Sequence, residues 1–122
     1  AGVGPRDLDM AEVHDCFTPT ELVLMEDLGF SARGEAWRDV LDGVFDLDGE
    51  LPVNSDGGLK SFGHPIGASG LRMQYELWLQ FRGEAGERQL DGPTLGLTHN
   101  LGGQPGGCVS FVSVMGAERD EG

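Results

Sequence analysis

Gly63-His64-Pro65-Ile66-Gly67-Ala68-Ser69-Gly70 runs without a break into Leu71-Arg72-Met73-Gln74-Tyr75-Glu76-Leu77-Trp78-Leu79-Gln80-Phe81-Arg82-Gly83. The second stretch reads as a helix that ends near Arg82-Gly83. Leu71, Met73, Tyr75, Leu77, Trp78, Leu79 and Phe81 cover most of its circumference. Arg72, Glu76 and Gln80, four residues apart, leave a narrow polar stripe. A helix apolar nearly all round belongs in a protein core. In a chain of 122 residues this implies a partner domain that covers one side. Pro65 suits the first helical position, which would put His64 at the cap. The positive end of the helix disfavours an imidazolium there, as a base requires. His64 fits the role of a plain cap equally well.

Upstream, Asp9 to His14 reads as a short strand that ends in His14-Asp15-Cys16-Phe17. A helix follows, with Thr18 as N-cap, Pro19 at the first position and Glu21 completing a capping box. Its apolar side is Leu22, Val23, Leu24, Met25 and Leu28, and Gly29 ends it. A thiol two residues from a His, just before a helix N-terminus, is a candidate reactive group, because both neighbours stabilise a thiolate. Cys16 also fits a small buried hydrophobe. Arg33 to Leu41 reads as a second helix with Ala36, Trp37, Val40 and Leu41 inward and Gly43 as its stop. Val44 to Gly58 carries loop signals, among them Asn54-Ser55-Asp56-Gly57-Gly58.

Downstream, Glu84 to Gly92 is a charged connection. Thr94 to Leu101 and Cys108 to Met115 read as two strands of a hairpin around Gly102 to Gly107, with Cys108 in the core. His99-Asn100-Leu101-Gly102-Gly103 closes the first strand. It can offer backbone N–H groups to an oxyanion, or simply serve the turn. Residues 1–117 read as one domain and 118–122 as a disordered tail. The order of strand, helices, buried helix and two strands fits an α/β layer with a mixed sheet.

Bulk composition narrows the function classes. The net charge is −13, which argues against a nucleic-acid partner, since a phosphate backbone needs a basic face. No stretch approaches the roughly 20 apolar residues of a membrane helix, so no membrane is expected. Two cysteines give no disulfide framework and no metal-ligand spacing, and a cytoplasmic setting fits them. The opening Ala1-Gly2-Val3-Gly4 lacks an initiator methionine and reads as the start of an excised domain.

Taken together, the three polar segments resemble the C-terminal domain of the thiolase superfamily over essentially the whole chain. Gly63 to Gly70 is similar to the family's Gly-His-Pro motif. His14-Asp15-Cys16-Phe17 resembles the variant of sterol-carrier-protein thiolases, where most thiolases have Asn-Glu-Ala-Phe. His99-Asn100-Leu101-Gly102 stands where many of those enzymes carry Cys-x-Gly, with Asn100 in place of the Cys.

The resemblance implies a thiolase-like C-terminal half, a five-stranded mixed sheet with helices on both faces, in which the helix from Ile66 to Phe81 lies between two stacked halves. It implies an acyltransferase acting on acyl-CoA by Claisen condensation or thiolytic cleavage, with a coenzyme A thioester as substrate and no tightly bound cofactor. His64 would activate a nucleophilic cysteine and help bind the thioester oxygen. His14 would organise the oxyanion site, Cys16 would move the α-proton, and Gly102 would supply a backbone N–H. The nucleophile belongs to an N-terminal thiolase half, so this chain alone is expected to be inactive, and the full-length protein to be a homo-oligomer. The alternatives are a thiolase-like retro-aldolase working with a small acyl-CoA-binding partner protein, and a non-catalytic assembly module.

Overall fold

The computed structural model describes residues 1–104 and 106–117; the tail expected at 118–122 lies outside them. Three strands form the sheet: β1 (Met10–Glu12), β2 (Leu95–Gly102) and β3 (Val109–Gly116). Their order is β1-β2-β3. β1 runs parallel to β2, with Ala11 opposite Leu97, and β3 returns antiparallel to β2, with His99 opposite Val112. The expected hairpin and mixed sheet are therefore present.

The resemblance implied five strands, and the described residues hold three. A fourth segment comes close, because Ala11 bridges Val53 in parallel. Ala11 N–H donates to the Pro52 carbonyl at 3.0 Å, and Asn54 N–H donates to Ala11 at 2.9 Å. Pro52 has no N–H to extend the ladder. Asn54 then takes a φ of 54° and turns the chain away, so pairing stops after one residue.

Helices cover both faces. On one side lie α1 (Thr18–Asp27) and α2 (Ala36–Leu41). α1 sets Leu24 and Met25 against Ala11, Val13 and Leu97 in the main apolar core, which Phe45 and Leu51 complete. The capping box expected at Thr18 and Glu21 does not form. Phe17 is the N-cap without a side-chain bond, and the Glu21 carboxylate instead accepts from Asn54 Nδ2 at 2.9 Å. In α2 only Ala36 is buried, while Trp37, Val40 and Leu41 are exposed. With Gly34 at φ 81°, the helix begins at Ala36 and not at Arg33. Trp37 Nε1 instead donates to the Gly34 carbonyl.

On the other face lie α3 (Gly58–Phe62) and α4 (Ser69–Arg82). α3 falls where only a loop was expected. α4 stops at Gly83, as the sequence indicated, with φ 71°. It packs against β2 through Leu77, which meets Met10 and Leu90. Gly96 of β2 permits this approach, since a Cβ there would press into the Leu77 side chain.

The sidedness of α4 is inverted relative to the usual amphipathic helix. Glu76 and Gln80 of its polar stripe are buried, and Leu71, Tyr75 and Trp78 are 70%, 58% and 44% exposed. The stripe faces the sheet because partners wait there. Arg88 pairs with Glu76 through two bonds of 2.9 and 2.8 Å. Gln80 donates to Glu76 and to the Arg88 carbonyl and accepts from Leu90 N–H. Arg72 pairs with Asp56. Glu76 and Gln80 thereby find partners, which offsets their desolvation, whereas Nε and one terminal nitrogen of Arg72 are buried without a hydrogen bond. No helix among the described residues is long and apolar enough to cross a membrane.

Candidate active site

The three polar segments meet at one end of the sheet. β1 places Met10 and Glu12 on the α4 face, and His14 continues that alternation just past the strand end. β2 directs Thr98 and Asn100 to the same face. α3 and the turn after it bring in His64. All five sequence-derived candidates, His14, Cys16, His64, Asn100 and Gly102, line one open cavity of about 750 Å³. Phe17, Leu59, Ile66, Val109 and Phe111 supply its apolar wall.

His14 and His64 touch ring to ring, edge on face, with centroids 4.9 Å apart. His14 is buried and His64 exposed. Burial is the main force that lowers the His14 pKa. Repulsion from His64 adds to it, while the Asp15 charge and the Asn100 side chain oppose it. The neutral imidazole is thus favoured at the buried position.

His64 is not the helix cap that the sequence implied. Pro65 opens a turn, with Ala68 and Ser69 N–H groups donating to its carbonyl at 2.8 and 3.0 Å, and α4 begins only at Ser69. The displaced imidazole finds a different orienting partner. Its Nδ1 lies 2.7 Å from Ser69 Oγ. The Ser69 hydroxyl also lies 3.2 Å from the Pro65 carbonyl, and donation to that carbonyl would let it accept from Nδ1–H. With the proton on Nδ1 the Nε2 lone pair would be free to take a proton. Sequence reasoning missed Ser69; the only signal for it was a hydroxyl five residues after the His in a stretch of glycines.

Neighbours in the His99-Asn100 pair point to opposite faces, as strand residues must. Asn100 joins the cavity, whereas His99 packs on the α1 side with Nε2 2.8 Å from Ser110 Oγ. Burial lowers its pKa, with a smaller contribution from His14. Gly102 ends β2 opposite Val109. Cys108, expected in the core, is exposed. It precedes β3 at the mouth of the hairpin, where Sγ donates to the Gln104 carbonyl at 3.4 Å. Cys16 and Cys108 are both free thiols.

Beneath the cavity sits a second titratable centre. Glu12 is fully buried on β1, and its Oε1 accepts from Ser55 Oγ at 3.2 Å. Desolvation pushes its carboxyl up to about 8, partly countered by Arg72 and reinforced by Glu76. Among the described residues no cluster of His, Cys, Asp and Glu has the geometry to hold a metal ion.

Known proteins are similar to the chain over most of its length. A family description, thiolase C-terminal domain-like, matches residues 1–115. An acetyl-CoA acetyltransferase from Methanothermobacter thermautotrophicus is 49% identical over 92% of the chain, which spans 29% of that protein. Sterol carrier protein 2 from Rattus norvegicus is 46% identical over 84% of the chain, which spans 19% of it. A solved structure titled Ltp2-ChsH2(DUF35) aldolase superposes with a TM-score of 0.77 at 30% identity, covering 98% of this chain and 29% of that one.

Proposed function

The chain belongs to the thiolase superfamily as a C-terminal domain, and from that premise we propose that it supplies the acid/base and oxyanion-side residues of an acyl-CoA thiolase. The observation that carries this reading is the His14–His64 ring pair, at 4.9 Å, on a cavity that Cys16 and Asn100 share.

The roles follow the thiolase resemblance, and the shared cavity supports them. His64 presents a ring nitrogen as a base to a cysteine thiol of an N-terminal thiolase half, helps bind the thioester oxygen, and returns the proton to the departing coenzyme A sulfur. The thiolate attacks the acyl carbonyl, and coenzyme A leaves as its thiol. Cys16, at the rim before α1, moves the α-proton of the second thioester, which leaves an enolate. His14 and the Gly102 N–H hold the negative oxygen as charge develops. Asn100 stands where many thiolases have a Cys and does not itself exchange protons, so acid/base duty falls on Cys16. The substrate is a coenzyme A thioester with no resident cofactor, and the apolar wall of Phe17, Ile66 and Phe111 suits a sizeable apolar acyl group.

The outward face of α4 supports the partner assignment. Leu71, Tyr75 and Trp78 are exposed apolar groups of the kind that mark an interface, and an N-terminal thiolase half stacked on them would cover them. A cytoplasmic setting and an assembled homo-oligomer complete the reading.

The test is acetoacetyl-CoA cleavage by this chain joined to an N-terminal thiolase half. Cys16→Ala is expected to abolish exchange of the α-proton with solvent while acylation of the nucleophilic cysteine stays measurable. Unchanged exchange would remove Cys16 from the mechanism. A second reading, a retro-aldolase working with a small acyl-CoA-binding partner, draws support from the likeness to a structure titled as an aldolase. An aldolase does not need the nucleophilic cysteine, so retained carbon–carbon cleavage after its replacement by Ala selects that reading.

A further inference from the structure

We infer that Asp15 and Lys60 form a reciprocal clasp that sets the separation of His14 and His64, which makes Asp15 a positioning residue for the proposed chemistry. The inference rests on the thiolase reading for its catalytic consequence, while the clasp itself stands on geometry alone.

His14 and His64 come from segments 50 residues apart in sequence, and no hydrogen bond joins their rings. What ties the two segments is the residue after His14. Asp15 is buried, 3% exposed, and its carboxylate caps α3 from a distance. Leu59 N–H donates to Oδ1 at 2.7 Å, and Lys60 N–H reaches Oδ2 at 3.4 Å. Lys60 returns the contact, with Nζ donating to the Asp15 carbonyl at 2.9 Å. Lys60 is the single lysine of the chain; it is exposed, and its Nζ reaches back to backbone beside the cavity.

The backbone is shaped for this contact. Gly58, the first residue of α3, has a φ of 66°, and a Cβ there would collide with the Asp15 carboxylate. Hence the Gly57-Gly58 pair is more than loop punctuation: it lets a buried carboxylate reach the free N–H groups of a one-turn helix. The link then continues in series. Gly63 N–H donates to the Leu59 carbonyl at 2.8 Å, which makes α3 a short rigid spacer. His64 follows at once, and Ser69 holds its far side. Asp15 therefore fixes the near end of the spacer and Ser69 the far end, and the ring contact is the result.

Only three histidines are present, so their ring signals can be followed by NMR in the whole chain. The wild type is expected to show a nuclear Overhauser contact between the His14 and His64 rings. Asp15→Ala is expected to lose that contact while the amide signals of the α1 core, Leu24 and Met25, stay in place. In the chain joined to an N-terminal thiolase half, the same variant should lower kcat on the order of 10²-fold with KM little changed, as misplacement of a catalytic group by about 1 Å does. Asp15→Asn keeps one oxygen for Leu59 N–H and is expected to restore the ring contact and most of kcat.

If Asp15→Ala fails to fold, Lys60→Met carries the test. It removes only the Nζ donor, and it should weaken the ring contact and lower kcat severalfold at constant KM. A folded Asp15→Ala with ring contact and kcat intact would overturn the clasp. So would an unaffected Lys60→Met where Asp15→Ala does not fold, or an Asp15→Asn as impaired as Asp15→Ala. If no joined protein cleaves a thioester, wild type included, the thiolase reading fails and the ring contacts still decide the clasp.

Discussion

The two faces of the sheet are built on opposite plans. The α1 side is a closed apolar core, with Leu24, Met25, Val13 and Leu97 mutually packed. The α4 side is polar within and apolar without. Glu12, Glu76 and Gln80 are buried there beside a small cluster of Met10, Leu77 and Leu90, while Leu71, Tyr75 and Trp78 face outward. The difference lies in what each face buries: the α1 side packs apolar groups inward, though Trp37, Val40 and Leu41 stay exposed, while the α4 side buries polar groups and sets apolar ones outward. The cavity with both histidines of the proposed mechanism opens on the second face, where a covering layer can complete it.

Four measurements sharpen or break this contrast, beginning with the largest expected effect. On the α4 side, Glu12 retains its proton in the folded chain up to about 8, whereas its ordinary value is 4.5. Between those values the folded state binds a proton that the unfolded state releases, so stability falls as pH rises through this window. Each unit is worth about 1.4 kcal/mol, which bounds the loss at about 5 kcal/mol. Glu12→Gln, a neutral isostere, should remove this slope. The check is urea unfolding of both proteins from pH 5 to pH 8; parallel curves would mean that Glu12 is not buried as a neutral acid.

On the α1 side, Met25→Ala should cost roughly 2–5 kcal/mol, the usual penalty for emptying a dry core position. A change below 1 kcal/mol by the same unfolding assay would mean that this core is not closed. Back on the α4 side, Glu76→Ala removes one of the two bonds of Gln80 Nε2 and both Arg88 contacts, with an expected loss of about 2 kcal/mol. The figure is smaller than for a fully buried pair because the Arg88 side chain is 36% exposed and can turn to water. The smallest effect belongs to the outward face. Leu71→Ser should change the stability of the chain by no more than about 0.5 kcal/mol, yet weaken its association with an N-terminal half, read by light scattering of the mixture. A large loss of stability in the chain alone would show that Leu71 already packs inside it.

Much of this was legible in the sequence because the signals are local. Gly83 stops α4, Pro19 marks the start of α1, and the glycine turn flanked by β-rich runs gives the hairpin. The meeting of His14, Cys16, His64, Asn100 and Gly102 at one cavity was legible only through their combined order, since no single segment outweighs a plain cap or turn. The remainder depends on contacts distant in sequence. α3 is capped by a carboxylate 44 residues away, so Gly57-Gly58 reads locally as loop. The inversion of α4 is hidden because its polar residues point inward to Arg88 and the sheet, while the usual pattern directs them to water. The fourth strand fails for a reason visible only with its neighbour in place: Pro52 faces β1 and has no N–H to give.

The central claim, that this domain contributes the His64 half of a site that cleaves acyl-CoA thiolytically, is tested most directly by mixing the chain with a separately produced N-terminal thiolase half and following acetoacetyl-CoA cleavage in the presence of coenzyme A. Neither piece alone should cleave the substrate, and the mixture should. The mixture made with His64→Ala should assemble equally well yet lose on the order of 10²- to 10⁴-fold in rate. Full activity in the His64→Ala mixture would contradict the account.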